Sequence, residues 1–428
     1  MRILLKGGRL IDPASKRNET ADILIEAGKI RRIAKNIRTK AKTLNVKGMI
    51  VSPGFIDLHT HLREPGREDE ETITSGTLAA AKGGYTTVCA MPNTDPPIDS
   101  VSGVKYILTT CAQEGNIQVL PVGAITKNRA GTELTEIGKM TKAGIVAITD
   151  DGTPVMNAQV MRRAMEYAKM FNIIIISHSE DLNLSKEGMM NEGKTSTIMG
   201  LRGIPPQAEE VMIARDTALA ELTGGHLHLA HVTTSRSVDL IREAKKRKIN
   251  VTAEVTPHHL ALSEEDVQGY NTNCKVNPPL RTSKDQKALI KGLKDGTIDC
   301  IATDHAPHLD QEKHREFDLA PFGINGLETS FSVLHETLIK TKHLTILELL
   351  EKLTVKPAQI LGRSDMGLIY EGGDADIAVI DPKLQKEITP SFFLSKSMNS
   401  PYIGKTLCGF PVITLYRGRI VWKDEQVF

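Results

Sequence analysis

Apolar and polar positions follow two different patterns along this chain. Near both ends, short runs alternate between apolar and polar residues, and turns around Gly28 and Gly418 divide them. Alternation with turn residues between the runs is typical of β-hairpins that bury one face. Neither end has enough strands to form a stable sheet alone. We therefore predict that residues 1–50 and 364–428 pair into one small β-sandwich.

Residues 51–363 instead alternate short apolar runs with amphipathic stretches of helical period, clearest over 156–171, 206–222 and 235–247. Nearly continuous apolar runs between helices are typical of parallel strands that are covered on both faces. Besides the strand that ends at His59, the predicted strands are 85–90, 117–122, 145–149, 173–177, 226–230, 250–255 and 298–302. Eight strand–helix units of this kind predict an α/β fold, a (β/α)8 barrel.

Composition narrows the classes of protein that fit this pattern. The 428 residues carry a formal net charge of +2 and only 4% aromatic residues, which does not favour nucleic-acid binding. No apolar run reaches the roughly 18 residues that a membrane span needs. The five cysteines form no C-x-x-C pair, which is typical of reduced thiols in a cytoplasmic protein. No G-x-G-x-x-G motif follows a predicted strand, so a dinucleotide-binding sheet is not favoured.

Histidine and aspartate residues follow the predicted strands at the end where barrel enzymes carry their chemistry. In the stretch GFIDLHTHLREPG, His59 and His61 are two residues apart, so both side chains point to the same side of a strand. The other candidates at the strand ends are Asp150, Asp151, His178, His231 and Asp304. If these histidines and aspartates had no common role, each of them would lie at the end of a predicted strand by chance. A shared role, such as metal binding, is the simpler interpretation.

Nitrogen and oxygen ligands without cysteine suit Zn²⁺ or a similar divalent ion. Four histidines and two aspartates, with one of the neighbours Asp150 and Asp151 counted, are too many ligands for one tetrahedral site that keeps a position open for water. Two ions about 3.5–4 Å apart, bridged by a carboxylate, fit better and would lower the pKa of bound water. The pattern therefore predicts hydrolysis through a metal-bound hydroxide, and the nearby Arg63 could hold a substrate carboxylate with its planar fork.

Several motifs resemble those of the class I dihydroorotases, a family of the amidohydrolase superfamily. The two signature stretches are GFIDLHTHLREPG at 54–66 and ATDHAPH at 302–308. Further matches are MPNT at 91–94, VNPPLR at 276–281, PFGINGLET at 321–329 and GDADIAVIDP at 373–382. The resemblance covers essentially the whole chain. It implies a distorted (β/α)8 TIM barrel, here residues 51–363, with a small β-sandwich built from both termini.

The resemblance also implies two zinc ions held by six side chains. The implied ligands are His59, His61 and Asp304 for the more buried ion, His178 and His231 for the second ion, and Asp151 as the bridge. Many members of the superfamily bridge their metals with a carboxylated lysine, but no lysine lies at a strand end here. Asp150 is the alternative to Asp151, because a slip of one residue reverses the side chain. Weak binding by Asp151 would leave the second ion only partly occupied.

The implied substrate contacts are His61, Arg63, Asn93, Asn277, His308 and the backbone of Phe322 and Gly323. An asparagine can both donate to and accept from a ring amide, and a backbone N–H can meet a carboxylate. Turn formation near prolines is an alternative role for Asn93 and Asn277. The charged segment 309–321 is expected to form a mobile lid, and His226 and His228 are expected to pack or to orient ligands.

By the same resemblance, the expected reaction is the reversible cyclisation of N-carbamoyl-L-aspartate to L-dihydroorotate with release of water, a step of pyrimidine (UMP) synthesis. Asp304 would act as the general acid and base. One alternative is another cyclic amidase, a hydantoinase or an allantoinase, although these normally carry the carboxylated lysine. The other is a non-catalytic scaffold for aspartate carbamoyltransferase, which should have lost ligands. A homo-oligomer and a complex of the active enzyme with that transferase stay open, and no nucleic-acid or membrane partner is expected.

Overall fold

Two eight-stranded sheets organise the chain in the computed structural model, which describes residues 2–425. In the first sheet all neighbouring strands are parallel and follow one another in chain order. Its strands, the first to eighth barrel strands, are Phe55–Thr60, Tyr85–Ala90, Gln118–Gly123, Ala147–Ile148, Ile174–Ser177, Leu227–Leu229, Val251–Val255 and Cys300–Ile301. The predicted barrel strands are thus all present.

A short contact brings the two edges of this sheet together. Thr60, at the end of the first barrel strand, forms a parallel bridge with His305, which follows the eighth. The His61 N–H donates to the His305 carbonyl oxygen at 2.8 Å. The sheet is therefore nearly closed, and the carboxyl ends of its first and last strands lie side by side, as a (β/α)8 barrel requires.

Helices cover the outside of the barrel. Ala158–Lys169 is an example: the Asn157 side chain caps its N-terminus, and Met161, Ala164 and Met165 lie on its buried face. The α-helices are Ile73–Lys82, Val101–Glu114, Ile137–Ala143, Ala158–Lys169, Leu182–Ser185, Lys194–Met199, Gln207–Thr223, Ser235–Lys246, Pro257–Ala261, Ser283–Asp295, Asp310–Lys313, Ser330–Leu334, Ile346–Leu353 and Val355–Ile360. Short 3₁₀ turns are Lys127–Arg129, Glu264–Val267, Thr272–Cys274 and Pro390–Phe392, and His335–Lys340 is π-helical. Within residues 2–425, no helix has the length and apolar character needed to cross a membrane.

The second sheet joins the two ends of the chain. Its strands are Arg2–Asp12, Arg17–Glu26, Lys29–Ala34, Lys42–Asn45, Ile50–Pro53, Ile377–Glu387, Thr406–Tyr416 and Arg419–Lys423. Ile50–Pro53 pairs with Arg2–Asp12 on one side and with Ile377–Glu387 on the other, so the N-terminal and C-terminal strands form one sheet. The prediction that the two ends pair is confirmed. Two further short strands, Met190–Asn191 and Gly203–Ile204, pair with each other.

Side chains from both termini share one hydrophobic core in this second sheet. Ile3, Val51, Val379 and Leu415 are among its members, and each is 1% exposed or less. The domain boundaries at residues 50 and 363 stay a prediction. The strand Ile50–Pro53 crosses the first of them, because it belongs to the terminal sheet and leads directly into the barrel.

An aromatic cluster packs under the first two barrel strands. The Phe55 ring stacks on Phe331 with 5.7 Å between ring centroids and meets the edge of Tyr85 at 5.5 Å. The Tyr85 hydroxyl lies 2.9 Å from the Ser330 Oγ, so its polar end is satisfied. This cluster supports the strand that carries His59.

Replacement of Phe55 by alanine should destabilise the barrel strongly. Removing a fully buried phenylalanine loses apolar contact and leaves a cavity, which typically costs about 3–5 kcal/mol. We expect Phe55→Ala to lower the urea midpoint of unfolding accordingly. Met170→Ala, at a side chain 75% exposed, should change stability by no more than about 0.5 kcal/mol. Equal effects of the two substitutions would contradict the importance of this cluster.

Candidate metal centre

The six predicted metal ligands meet at the carboxyl end of the barrel. Each lies at or just beyond the end of a barrel strand, and all are buried. They are His59 and His61 at the first strand, Asp151 after the fourth, His178 after the fifth, His231 after the sixth and Asp304 after the eighth. Residues that are far apart in the sequence therefore form one cluster.

One half of the cluster is built from the first, fourth and eighth strands. The His61 Nε2 lies 3.0 Å from the Asp304 Oδ1, and the His59 Nε2 lies 3.5 Å from the same oxygen. The His59 Nε2 is also 3.3 Å from the Asp151 Oδ1. Ligands about 2.0–2.1 Å from a tetrahedral zinc ion are about 3.3 Å from one another, so these spacings suit a shared ion.

The other half gathers around the same aspartate. The His178 Nδ1 and the His231 Nε2 are 2.9 Å apart, and they lie 3.5 and 3.9 Å from the Asp151 Oδ1. Asp151 therefore belongs to both groups of ligands, as a bridging carboxylate would. Asp150 has a different role: its carboxylate accepts from the backbone N–H groups of Ile125 and Thr126 at 2.8 and 3.1 Å.

Two buried atoms in the cluster indicate that a cation belongs there. Within residues 2–425, neither the His59 Nε2 nor the Asp151 Oδ1 has a hydrogen-bond partner, although they are only 3.3 Å apart. Buried polar atoms are normally satisfied, because leaving them unpaired costs free energy. A divalent ion between them would satisfy both, so this set of nitrogen and oxygen donors fits zinc.

The carboxylates also make the cluster attractive to positive charge. Burial lowers the pKa of His178, but its contacts with Asp151 and Glu180 raise that pKa to about 10. Burial raises the pKa of Asp304, but the nearby rings of His59 and His61 hold it well below its usual range. Both shifts reflect close pairing of histidine rings with ionised carboxylates, whose negative charge would also favour a bound cation.

The backbone is strained where two of these ligands leave their strands. His231 and Asp304 have φ values of +31° and +48°, in a region that residues other than glycine rarely adopt. Such conformations persist only where the surroundings enforce them, and they are frequent at functional sites. The turn at each strand end directs the side chain into the cluster. The eighth barrel strand, Cys300–Ile301, is shorter than the predicted range 298–302.

Sequence reasoning missed the residue behind His59. The His59 Nδ1 is 2.9 Å from the Glu254 Oε1, and the Glu254 Oε2 is 3.0 Å from the His228 Nε2. His228 in turn contacts the Thr252 hydroxyl at 2.9 Å. A carboxylate on the far nitrogen fixes the tautomer and orientation of a metal-binding histidine. An acidic residue inside the apolar seventh strand was the signal that could have revealed Glu254.

A second missed carboxylate links a metal ligand to the substrate pocket. The Glu180 Oε2 lies 2.9 Å from the His178 Nε2 and accepts a hydrogen bond from the Asn277 Nδ2 at 2.9 Å. Burial raises the pKa of Glu180, but its contact with His178 lowers it to about 2, so the carboxylate stays ionised. Asn277 is therefore held by a partner that also orients His178.

A cavity of about 380 Å³ opens over the predicted metal ligands. All seven predicted substrate contacts line it, namely His61, Arg63, Asn93, Asn277, His308, Phe322 and Gly323. The His61 Nδ1 contacts the Asn93 Oδ1 at 2.8 Å, which ties the metal site to this wall. The predicted residues are thus brought together, and their contacts with a substrate stay a prediction.

Arg63 is held in place at the rim of this cavity. Its Nε lies 3.1 Å from the Glu70 Oε2 and 3.1 Å from the Pro307 carbonyl oxygen. Glu70 also contacts the His308 Nδ1 at 3.0 Å. Since the Nε points to Glu70, the remaining guanidinium nitrogens are the ones that can face an anion. Glu70 is a third residue that the sequence reasoning did not identify.

Gly323 has no room for a side chain. A Cβ there would lie 2.7 Å from the His308 Cδ2, and its φ is +151°. The Gly323 N–H donates to the Lys275 carbonyl oxygen at 2.9 Å, so it is already paired. Its predicted bond to a substrate carboxylate would require that pairing to change.

The sequence of this chain is similar to that of known proteins over its whole length. A family model described as dihydro-orotase-like matches residues 48–237. A dihydroorotase from Endomicrobium trichonymphae is 52% identical over 423 residues, which cover 99% of this chain and 100% of the relative. One from Pelotomaculum thermopropionicum is 50% identical over 100% of both chains. The chain belongs to the dihydroorotase family.

A solved structure confirms the fold expected of a dihydroorotase. The L-hydantoinase from Arthrobacter aurescens superposes with a TM-score of 0.89 at 25% identity, covering 99% of this chain and 96% of that one. The barrel and the terminal sheet therefore have a counterpart in a related cyclic amidase. The family assignment, the fold class and the enzyme class predicted from the sequence are confirmed.

The contact between Glu254 and His59 should determine zinc affinity in this dihydroorotase family member. Replacement of a carboxylate that orients a metal ligand typically weakens metal binding by about 10–100-fold. We expect Glu254→Gln to lower zinc affinity by that amount in competition with a chelator. Glu328→Gln changes another buried carboxylate that contacts Lys82 instead, and should leave zinc affinity unchanged. Equal zinc affinities in wild type and Glu254→Gln would exclude the positioning role.

Proposed function

We propose that this chain is a zinc-dependent dihydroorotase that interconverts N-carbamoyl-L-aspartate and L-dihydroorotate plus water. The observation that carries the proposal is one shared cavity. It has the buried cluster of histidines and aspartates at its base and Arg63 at its rim. The buried cluster could bind metal ions that activate water for attack on an amide. The arginine could bind a substrate that carries an extra carboxylate. Relatives about 50% identical over the whole chain bear the name dihydroorotase.

Bound zinc would supply a Lewis acid that polarises the substrate carbonyl and lowers the pKa of water. His59, His61, His178, His231, Asp151 and Asp304 would hold the ions. We extend the proposal to two ions per chain, because Asp151 contacts both groups of ligands.

Asp304 is placed to move the proton. Its Oδ1 lies 3.0 Å from the His61 Nε2, and the carboxylate faces the cavity. In hydrolysis it would accept a proton from the attacking water and pass it to the leaving ring nitrogen. In cyclisation it would accept the proton of the ureido nitrogen and deliver it to the departing oxygen. A carboxylate whose pKa lies below its usual range is ionised at neutral pH, so Asp304 carries no proton when the reaction begins.

The cavity wall would orient the substrate. Arg63 would pair with the ring carboxylate, while Asn93 and Asn277 present amide groups that can meet the ring N–H and carbonyl groups. His308 lies beside Arg63, with 3.2 Å between the Nη2 and the Nε2. These groups hold the reacting carbonyl near the cluster and supply orientation rather than bond-making chemistry.

The alternatives make different demands on the same cavity. A hydantoinase or allantoinase shares the barrel, but a substrate without the carboxylate would leave Arg63 without its proposed partner. A non-catalytic scaffold would not need six intact ligands.

For location, we propose the cytoplasm, since all five cysteines are unpaired. Self-association and binding to aspartate carbamoyltransferase stay open predictions.

Substrate preference tests the proposal. The zinc-loaded protein should hydrolyse L-dihydroorotate far faster than hydantoin or allantoin. Arg63→Gln should lower kcat/KM for dihydroorotate by at least about 30-fold, because loss of a buried charge partner costs about 2–5 kcal/mol. The exposed Arg162→Gln serves as the matched control and should behave as wild type. Faster turnover of hydantoin or allantoin would overturn the proposal.

The proton-transfer role of Asp304 predicts a second result. Asp304→Asn keeps an oxygen that can face a metal but cannot carry the proton. We expect kcat to fall by about 10²–10⁴-fold, the usual contribution of a general acid–base group, while zinc content per chain stays near that of wild type. Asp365→Asn, at an exposed side chain, is the control. Wild-type turnover by the Asp304 variant would show that another group moves the proton.

A further inference from the structure

Two lysines are buried beside the cavity wall formed by Phe322 and Gly323. Lys275 precedes the loop that carries Asn277, and Lys313 ends the short helix Asp310–Lys313. Each lysine is only 3% exposed, although lysine is among the residues least often buried. Neither takes part in the metal centre, so their burial needs another explanation.

The ammonium group of Lys275 hydrogen-bonds to several main-chain carbonyl groups of one turn. Its Nζ donates to the carbonyl oxygens of Phe317, Asp318 and Ala320 at 2.6, 3.1 and 2.6 Å. An ammonium has three N–H donors, so these bonds use its full capacity. The same Nζ lies 4.7 Å from the centre of the Phe322 ring, within the range of a cation–π contact.

Lys313 holds the next part of the same segment. Its Nζ donates to the carbonyl oxygens of Pro321 and Gly323 at 2.9 and 3.1 Å, and lies 3.5 Å from that of Lys275. The Gly323 N–H returns a bond to the Lys275 carbonyl at 2.9 Å. Between them, the two ammonium groups contact six carbonyl oxygens, and five of these belong to residues 317–323.

Burying two lysine ammonium groups costs free energy, so their burial indicates a specific role. Two like charges lie close together, and main-chain carbonyls rather than carboxylates satisfy them. Burial lowers the pKa of Lys275 to about 8, and burial with the repulsion of Lys275 lowers that of Lys313 to about 7. A buried cation is tolerated where hydrogen bonds replace its hydration. Removing one ammonium would leave two or three buried carbonyls without a donor.

The held segment ends at the substrate pocket. The Phe322 carbonyl lies 2.8 Å from the His308 Nε2, and the same nitrogen is 3.2 Å from the Arg63 Nη2. Any shift of Phe322 and Gly323 would therefore reach the proposed carboxylate-binding groups directly.

We propose that Lys275 and Lys313 are positioning residues that fix residues 317–323 against the pocket and thereby set the site for the substrate carboxylate. The inference rests on the proposed function for its substrate. The segment 309–321 was expected to be a mobile lid. On this proposal, the two buried lysines instead hold the second half of that segment in place. Residues nearer the start of that segment contact the rim differently, through the pair Arg67 and Glu312 at 3.0 Å.

Methionine substitutions test this role, because methionine keeps most of the unbranched side chain of lysine and removes its donors. In Lys275→Met and Lys313→Met we expect backbone hydrogen exchange over 317–323 to rise at least tenfold. KM for dihydroorotate should rise about tenfold, which corresponds to about 1.4 kcal/mol, while kcat changes little. Zinc content should stay at the wild-type level. Lys139→Met, at an exposed lysine, is the control.

Glutamine variants keep the test decisive if a methionine variant does not fold. An amide retains two donors, so Lys275→Gln and Lys313→Gln should give exchange rates and KM values between those of wild type and Met. Wild-type exchange and KM in all folded variants would overturn the inference. So would a loss of kcat with unchanged KM. If the wild-type protein does not act on dihydroorotate, the proposed function fails, and hydrogen exchange alone still decides whether the lysines hold the segment.

Discussion

The buried carboxylate of Asp151 is the constraint around which the catalytic end of the barrel is built. It lies within 4 Å of a nitrogen from each of four histidines, which come from three different strands. An ionised carboxylate in such a place needs compensating positive charge. Protonated histidines supply part of it, because burial lowers the pKa of His178 but Asp151 and Glu180 raise it to about 10. A bound divalent cation would supply the same compensation, so burial and charge favour a cation here independently of any comparison with relatives.

The same constraint explains the outer layer of carboxylates. A histidine binds a cation only when its free nitrogen lone pair faces the ion, so its other nitrogen must donate its proton elsewhere. Glu254 accepts from His59, and Glu180 accepts from His178, each at 2.9 Å. Glu254 is itself held by His228 from the same barrel sheet. Hydrogen bonds to carboxylates of the protein itself therefore orient His59 and His178.

The sequence predicted the parts of this structure that follow from local pattern. Strands, helices and the ligands at the strand ends carry short-range signals, either an apolar period or a motif such as His59 and His61. Glu70 gave no such signal, because its role depends on His308, 238 residues away in the chain. Glu254 stands out as an acidic residue in an apolar strand, but its partner His59 is 195 residues away and could not be read from that pattern. The charge-rich segment from 309 to 321 was expected to be a mobile lid. Whether the segment moves stays a prediction. The structure adds that the Lys313 side chain points inward, where its Nζ donates to the carbonyl oxygens of Pro321 and Gly323, and composition does not record this.

The barrel alone does not determine the substrate. The L-hydantoinase structure superposes over 99% of this chain at 25% identity, so two enzymes of different name share one frame. What can differ is the rim, where Glu70 holds Arg63 and His308 together and His308 meets the Phe322 carbonyl. Each of these contacts joins segments that lie in loops outside the barrel strands. If the rim selects the substrate as proposed, the loops can change which cyclic amide is accepted while the candidate metal centre at the strand ends stays the same.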